Sequence, residues 1–97
     1  MHRTTIERRL SDAHDRLVRA RAELAVLDEQ LAVVEEIADD TRLRAMVSET
    51  LLASKEYDEA NRQATVMRQT RAALADRVAD LQRRQDELLD RLVVDPG

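Results

Sequence analysis

The sequence predicts an all-α fold in which two long helices pack against each other as an antiparallel coiled-coil hairpin. Apolar residues recur at alternating steps of three and four along both halves of the chain, which is the heptad pattern of coiled coils. Charged residues make up 37% of the 97 positions, and the chain has one Tyr, no Phe and no Trp. Its one Gly and one Pro both lie at the extreme C-terminus. This composition is typical of long helices and not of a globule built on an aromatic core.

The first helix is predicted over residues 4–38, approximately. Thr4 and Glu7 fit a capping box, in which each side chain satisfies a free backbone N–H of the first turn. Ten apolar core positions then follow in unbroken register. They are Ile6, Leu10, Ala13, Leu17, Ala20, Leu24, Leu27, Leu31, Val34 and Ala38. So long a run in register is hard to obtain by chance, and it indicates one continuous helix.

The second helix is predicted over residues 54–93, approximately, with Ser54 as its N-cap. Its core positions are Tyr57, Ala60, Ala64, Met67, Arg71, Leu74, Val78, Leu81, Gln85, Leu88 and Leu92. Arg71 and Gln85 interrupt this apolar series. Polar residues at core positions weaken a coiled coil but can fix its register. Alternatively, Arg71 extends its charged head to solvent. The Pro96-Gly97 pair predicts the end of the helix.

The two heptad frames do not run into each other, which predicts a break between the helices. Extending the first frame places Thr41 and Ser48 at core positions, where polar side chains are unfavourable. We therefore expect a turn segment over residues 39–53, approximately. It would contain a short helix, Arg42 to Glu49, with its N-cap supplied by the polar residues just before it.

Complementary side-chain sizes favour a hairpin over a continuous rod. Antiparallel pairing about a turn near residue 47 sets Ala13 near Leu81, Ala20 near Leu74, and Leu31 near Ala64. Small residues on one helix then repeatedly meet large residues on the other. We expect residues 1–97 to form this hairpin as a single domain.

A second apolar stripe on the first helix predicts self-association. The candidate dimer-interface residues are Val18, Ala22, Ala25, Val26, Val33 and Ile37. They lie outside the first set of core positions, and one partner helix cannot cover both sets. A two-helix hairpin also buries little area. We therefore expect a homodimer that forms a four-helix bundle. In the alternative, the segment from Leu43 to Leu52 folds back over the stripe and leaves a monomer.

Charge is distributed unevenly along the chain. The net charge is +3 over residues 1–22, −8 over residues 23–60 and +1 over residues 61–97. In a hairpin, the turn end is therefore strongly acidic. The candidate partner-facing acids are Glu35, Glu36, Asp39, Asp40, Glu49, Glu56, Asp58 and Glu59. They predict a protein partner with a basic surface.

Nucleic-acid binding is not favoured, because it needs a basic stripe and usually aromatic side chains for stacking. A small RNA-binding helical-hairpin dimer is nevertheless an alternative. It would use the arginines of the first helix, namely Arg3, Arg8, Arg9, Arg16 and Arg19. These arginines can also pair with acids at helical spacing, as in Asp12–Arg16, on a solvated face.

No set of residues in the sequence predicts catalysis. His2 and His14 lack the further ligands that a metal site needs, and the chain has no Cys. A single glycine excludes a glycine-rich phosphate loop. We therefore expect no enzyme activity, no metal and no cofactor. No apolar run is long enough to span a membrane, and no secretory signal is recognisable. These features, with the Arg-, Ala- and Val-rich composition, predict a cytoplasmic bacterial protein.

The stretch Glu56-Tyr57-Asp58-Glu59-Ala60 is similar to the Glu-Tyr-x-x-Ala stretch of Gre-type transcript cleavage factors. Their coiled-coil hairpins carry acidic tips that enter the secondary channel of RNA polymerase. The resemblance implies a channel regulator as an alternative function. The tip carboxylates of that family would fall near Thr50 and Ala53, so such a hairpin would dock without promoting cleavage. The main prediction is a non-enzymatic interaction module that self-associates and presents its acidic turn end to a protein partner.

Overall fold

A computed structural model describes residues 2–94, and His2, Glu49 and Thr50 are the only residues in that range outside helices. Helix α1 spans Arg3–Ser48 and helix α2 spans Leu51–Val94. The predicted all-α hairpin of two long helices is confirmed. The helix stop predicted at Pro96-Gly97 lies outside the described residues.

Contacts divide the chain into two compact units, each made of one segment of α1 and one of α2. The terminal unit contains the residues up to Leu24 and those from Ala73 onward, and the turn unit contains Ala25–Ala72. The expectation of a single domain stays a prediction.

The core of the terminal unit consists of two apolar clusters. Ile6, Ala13 and Leu88 pack with Leu10 and Leu92, and Leu17, Ala20 and Leu81 pack with Leu74 and Val78. Early residues of α1 thus meet late residues of α2, so the two segments are antiparallel. The side chains of Ile6 and Leu17 are almost inaccessible, with 1% and 0% of their surface exposed.

The core of the turn unit is built from small residues. Ala38, Ala60 and Ala64 are buried together, and Val34 packs against them. Alanine at the contact lets two helices approach closely, because the interaxial distance depends on the side chains between them. In both units, every predicted core position is buried or half-buried. The two predicted sets of heptad core positions are therefore confirmed.

The two polar residues at core positions of α2 both bond across to α1. In the turn unit, Arg71 Nε donates to Asp28 Oδ1 at 2.7 Å. In the terminal unit, His14 Nδ1 and Gln85 Oε1 lie 2.9 Å apart. The hydrogen bond from Arg71 to Asp28 and the negative charge of that carboxylate raise the pKa of Arg71 above the usual range of an arginine. Arg71 therefore keeps its head partly in solvent and also pairs across the helix contact.

A break between the helices does occur within the predicted range, at Glu49 and Thr50, but the bounds of 39–53 are wrong, because α1 runs without interruption to Ser48. Thr41 is buried, and its Oγ1 donates to the carbonyl oxygens of Ile37 and Ala38 at 2.9 and 3.0 Å. A hydroxyl satisfied inside its own helix can occupy a core position, so the first heptad frame continues through Thr41. The separate short helix and the folded-back segment do not form. Residues 43–48 belong to α1, and Leu51 and Leu52 belong to α2.

The helices are joined by Glu49 and Thr50 alone. Glu49 has a φ of 50°, in the left-handed region that commonly ends a helix. Thr50 Oγ1 accepts a hydrogen bond from the Ala53 amide at 3.1 Å, so Thr50 is the N-cap of α2. The prediction of Ser54 as the N-cap is wrong, because its amide already donates to the Thr50 carbonyl at 3.1 Å.

The capping box predicted at Thr4 does not form either. The Ile6 amide donates to the His2 carbonyl at 3.1 Å, which places the helix start one residue before Thr4. Glu7 Oε1 accepts from Arg3 Nε at 2.9 Å and is not bonded to the Thr4 amide. Glu7 instead forms an ion pair with Arg3, which lies four residues earlier in the helix.

Replacing Glu49 with Gly should raise the free energy of unfolding by about 0.5–1 kcal/mol. The left-handed conformation costs a residue with a Cβ about 1 kcal/mol, whereas glycine adopts it freely. Urea denaturation followed by circular dichroism measures the change. Glu49→Ala is the matched control, because it removes the same charge and keeps the Cβ. Equal stabilities of the two variants would contradict this account of the turn.

Candidate functional site

The turn exposes a concentration of large apolar side chains, which we call the turn tip. It consists of Leu43, Met46, Val47, Leu51 and Leu52, which are 59%, 63%, 84%, 73% and 68% exposed. All five lie at the end of α1 or at the start of α2. Large apolar surfaces left exposed on a folded chain commonly mark interaction sites.

The eight predicted partner-facing acids all lie in the turn unit. Seven are exposed and Glu35 is half-buried. Glu35 Oε1 pairs with Arg68 Nε at 2.6 Å, and Glu59 pairs with Arg62. For the other six, residues 2–94 provide no basic nitrogen within 4.0 Å. Most of the acids at the turn end therefore have no ion-pair partner in the part of the chain that the structure describes.

Glu59 is held in its charged form. The hydrogen bond from Arg62 and the positive charge of that guanidinium lower the pKa of Glu59, and Gln63 Nε2 donates to it at 3.3 Å. The pKa of Glu59 is lower in the folded chain than in the unfolded chain. Any stabilisation of the fold by this ion pair is therefore fully present at pH values above the unfolded pKa. It is lost as the pH falls through the folded value. At neutral pH the Glu59 carboxylate therefore stays charged and paired with Arg62.

The predicted dimer-interface residues are all at the surface. Val18, Val26, Val33 and Ile37 are 50%, 53%, 57% and 49% exposed, and Ala22 and Ala25 are exposed as well. Val18 and Ala22 belong to the terminal unit, and the other four belong to the turn unit. In the turn unit, Val26 and Val33 lie outside the heptad core positions and are seven residues apart. They therefore share a face of α1 that α2 does not cover.

An open apolar groove adds to the exposed surface of the turn unit. It has a volume of about 480 Å³. Its lining combines the apolar Leu27, Val34, Val66 and Met67 with the polar Gln63 and Thr70 and the charged Glu59 and Arg62. Ile37 lines a neighbouring groove of about 450 Å³. The turn unit thus leaves apolar surface uncovered in the grooves as well as on the outer face of α1.

No metal-binding set comes together in the part of the chain that the structure describes. Within residues 2–94, no three His, Cys, Asp or Glu side chains converge as metal ligands. His14 Nδ1 lies within hydrogen-bond distance of Gln85 Oε1, at 2.9 Å. In the same range, neither helix contains a stretch long and apolar enough to cross a membrane.

The positions that correspond to the tip carboxylates of the cleavage factors hold Thr50 and Ala53. Thr50 caps α2, and Ala53 is buried, with 8% of its surface exposed. Tyr57 is half-buried at a core position of α2. Helix packing therefore accounts for the Tyr of the similar stretch, and neither tip position supplies a carboxylate.

Comparisons with protein-family models, with curated proteins and with solved structures found no match for this chain.

The apolar turn tip is the part of the site that the charge pattern did not predict. Its sequence signal is the pair of adjacent apolar residues Met46-Val47, followed by Leu51-Leu52. Adjacent residues on a helix point about 100° apart, so both members of such a pair cannot face one partner helix. At least one of each pair must be exposed unless another chain covers it.

Proposed function

We propose that this protein is a non-enzymatic coiled-coil interaction module that self-associates and presents its turn end to a protein partner. The observation that carries the proposal is the turn tip, where five large apolar side chains are exposed within an acidic unit. The Arg-, Ala- and Val-rich composition supports a cytoplasmic, bacterial setting for this module.

The outer face of α1 in the turn unit is the surface that we propose for self-association. Val26 and Val33 are each more than half exposed, and Ala25 lies beside them. Covering them with a second hairpin would complete a four-helix bundle with apolar residues on both faces of α1. The hydrophobic gain is about 25 cal/mol for each Å² of apolar surface removed from water.

The turn tip and the acids of its unit define the chemistry of the partner. Protein interfaces have an apolar centre and a polar rim. The turn unit offers this combination, with an apolar tip and unpaired carboxylates such as Asp39, Asp40 and Glu49. A partner that fits would present an apolar pocket flanked by Lys and Arg. Membranes with anionic lipids fit poorly, because the carboxylates would be repelled.

Substituting Val47 and Leu51 with Glu should remove the partner without unfolding the chain. Both side chains are more than 70% exposed, so the substitution adds charge to the apolar tip and disturbs little packing. The measurement is affinity capture from the native organism, with proteins quantified against the unmodified chain. A matched control replaces Val93 and Val94 with Glu, since these valines are 80% and 82% exposed in the terminal unit.

The proposal predicts one or more proteins captured by the unmodified chain and by the control, but lost with the tip variant. If the tip variant captured the same proteins as the control, the tip would not be the contact. Circular dichroism of each variant verifies that helicity is retained.

A further inference from the structure

The terminal unit contains a small basic recess between α1 and α2, distinct from the turn end. Arg9 and Arg16 of α1 and Arg84 of α2 line it, with Ala13 and Leu81 between them. Its volume is about 90 Å³. Ala13 and Leu81 are almost completely buried, so the recess has an apolar floor beneath three guanidinium groups.

Within the described residues, no carboxylate neutralises the three guanidinium groups. Among residues 2–94, no carboxylate oxygen lies within 4.0 Å of Arg9, Arg16 or Arg84. Asp12 is the one acid that lines the recess, yet the ion pair predicted between Asp12 and Arg16 does not form. By contrast, Arg83 pairs with Asp80 on the same helix as Arg84.

All three arginines are exposed, so solvent screens most of their mutual repulsion, and an anion lying among them would offset the rest. Like charges on neighbouring positions of packed helices repel, and here they come from two helices around one recess. The overall charge of the chain is −4, so its net charge does not attract anions. Any anion bound here must be held by the local geometry of the guanidinium groups.

Guanidinium groups match the geometry of phosphate oxygens and bond to them in pairs. Three such groups can neutralise a ligand with two or more negative charges. We propose that the recess lined by Arg9, Arg16 and Arg84 binds a small multivalent phosphate of the diphosphate class. This binding activity is independent of the protein contacts proposed for the turn end.

A nucleic acid fits this recess less well than a small phosphate. Single-stranded nucleic acids are usually held by stacking of bases on aromatic side chains, and the residues that line the recess include no aromatic. The one Tyr of the chain, Tyr57, belongs to the turn unit. A long polyanion would also meet the net negative charge of the protein.

The test is isothermal titration of the full-length protein with pyrophosphate at low salt. Arg16→Gln and Arg84→Gln should each weaken binding about tenfold or more, as expected for the loss of charge-assisted hydrogen bonds. Arg83→Gln is the matched control, since it removes the same charge from a neighbouring arginine that is paired within the chain. It should change the affinity by less than about twofold, in line with the small worth of an exposed ion pair. Circular dichroism checks that each variant stays helical.

Several results would overturn the proposal. One is the absence of pyrophosphate binding to the unmodified protein, and another is an equal loss of affinity in Arg83→Gln, which would indicate general charge attraction. A single-stranded oligonucleotide that bound more tightly and was lost in the same variants would identify the recess as a nucleic-acid site. A lower mass of Arg16→Gln in light scattering without phosphate would identify it as a contact between copies of the chain.

Discussion

Replacing Leu17 with Ala should lower the free energy of unfolding by about 2–5 kcal/mol, the range for fully buried leucines. Leu17 is 0% exposed and lies in a cluster with Ala20 and Leu81. Truncation removes the apolar contacts of the side chain and leaves a cavity between two helices. Urea denaturation measures the loss. All variants are compared at one protein concentration, because self-association makes the apparent stability depend on concentration.

The control for Leu17 is the same substitution at Leu89, which lies in the same unit but is 43% exposed. Leu89→Ala should cost less than about 1 kcal/mol, because much of its side chain is already in water. Similar losses at Leu17 and Leu89 would contradict the proposed core of the terminal unit.

Substituting Val26 and Val33 with Glu should separate the self-associated form into single chains. Each substitution replaces an exposed apolar side chain of α1 with a charge that would be desolvated in the interface. Helicity should stay nearly unchanged, because both valines are more than half exposed within the chain. Light scattering at micromolar concentration measures the mass, and circular dichroism measures the helix content.

A matched variant with Glu at Val93 and Val94 carries the same change in composition and should keep the mass of the unmodified protein. If the Val26 and Val33 variant kept that mass too, the outer face of α1 would not be the interface. The turn-tip proposal would stand in that case, because it rests on different side chains.

The two helices and their cores could be predicted because the helical repeat decides which residues are buried. A residue every three or four positions faces the partner helix, so apolar residues recur at that spacing. The predicted end of the first helix was wrong because a polar residue at a core position is hydrogen-bonded within its own helix. Thr41 looked like a break in the pattern, but its hydroxyl bonds to the carbonyls of Ile37 and Ala38, and the helix continues.

The turn could not be located for a similar reason. A tight connection between helices usually carries Gly at the residue with positive φ, and here Glu49 adopts that conformation. Without the expected glycine, the sequence favoured a longer segment. The exposure of Leu51 and Leu52 then depends on the short connection, which leaves them at the end of the hairpin without a facing layer.

The charged surfaces could be predicted in part. The acidic turn end follows from the run of acids between residues 23 and 60. The basic recess does not, because Arg84 joins Arg9 and Arg16 only through the register between two helices that are distant in sequence. Arg9 and Arg16 are seven residues apart and so share a face of α1, which was the one available signal.

The mass of the unmodified chain in solution shows whether a second copy completes the hairpin. Sedimentation equilibrium over a range of micromolar concentrations measures it. We expect twice the 11.1 kDa mass of the chain, with dissociation only on dilution. A mass of 11.1 kDa at every concentration would contradict it.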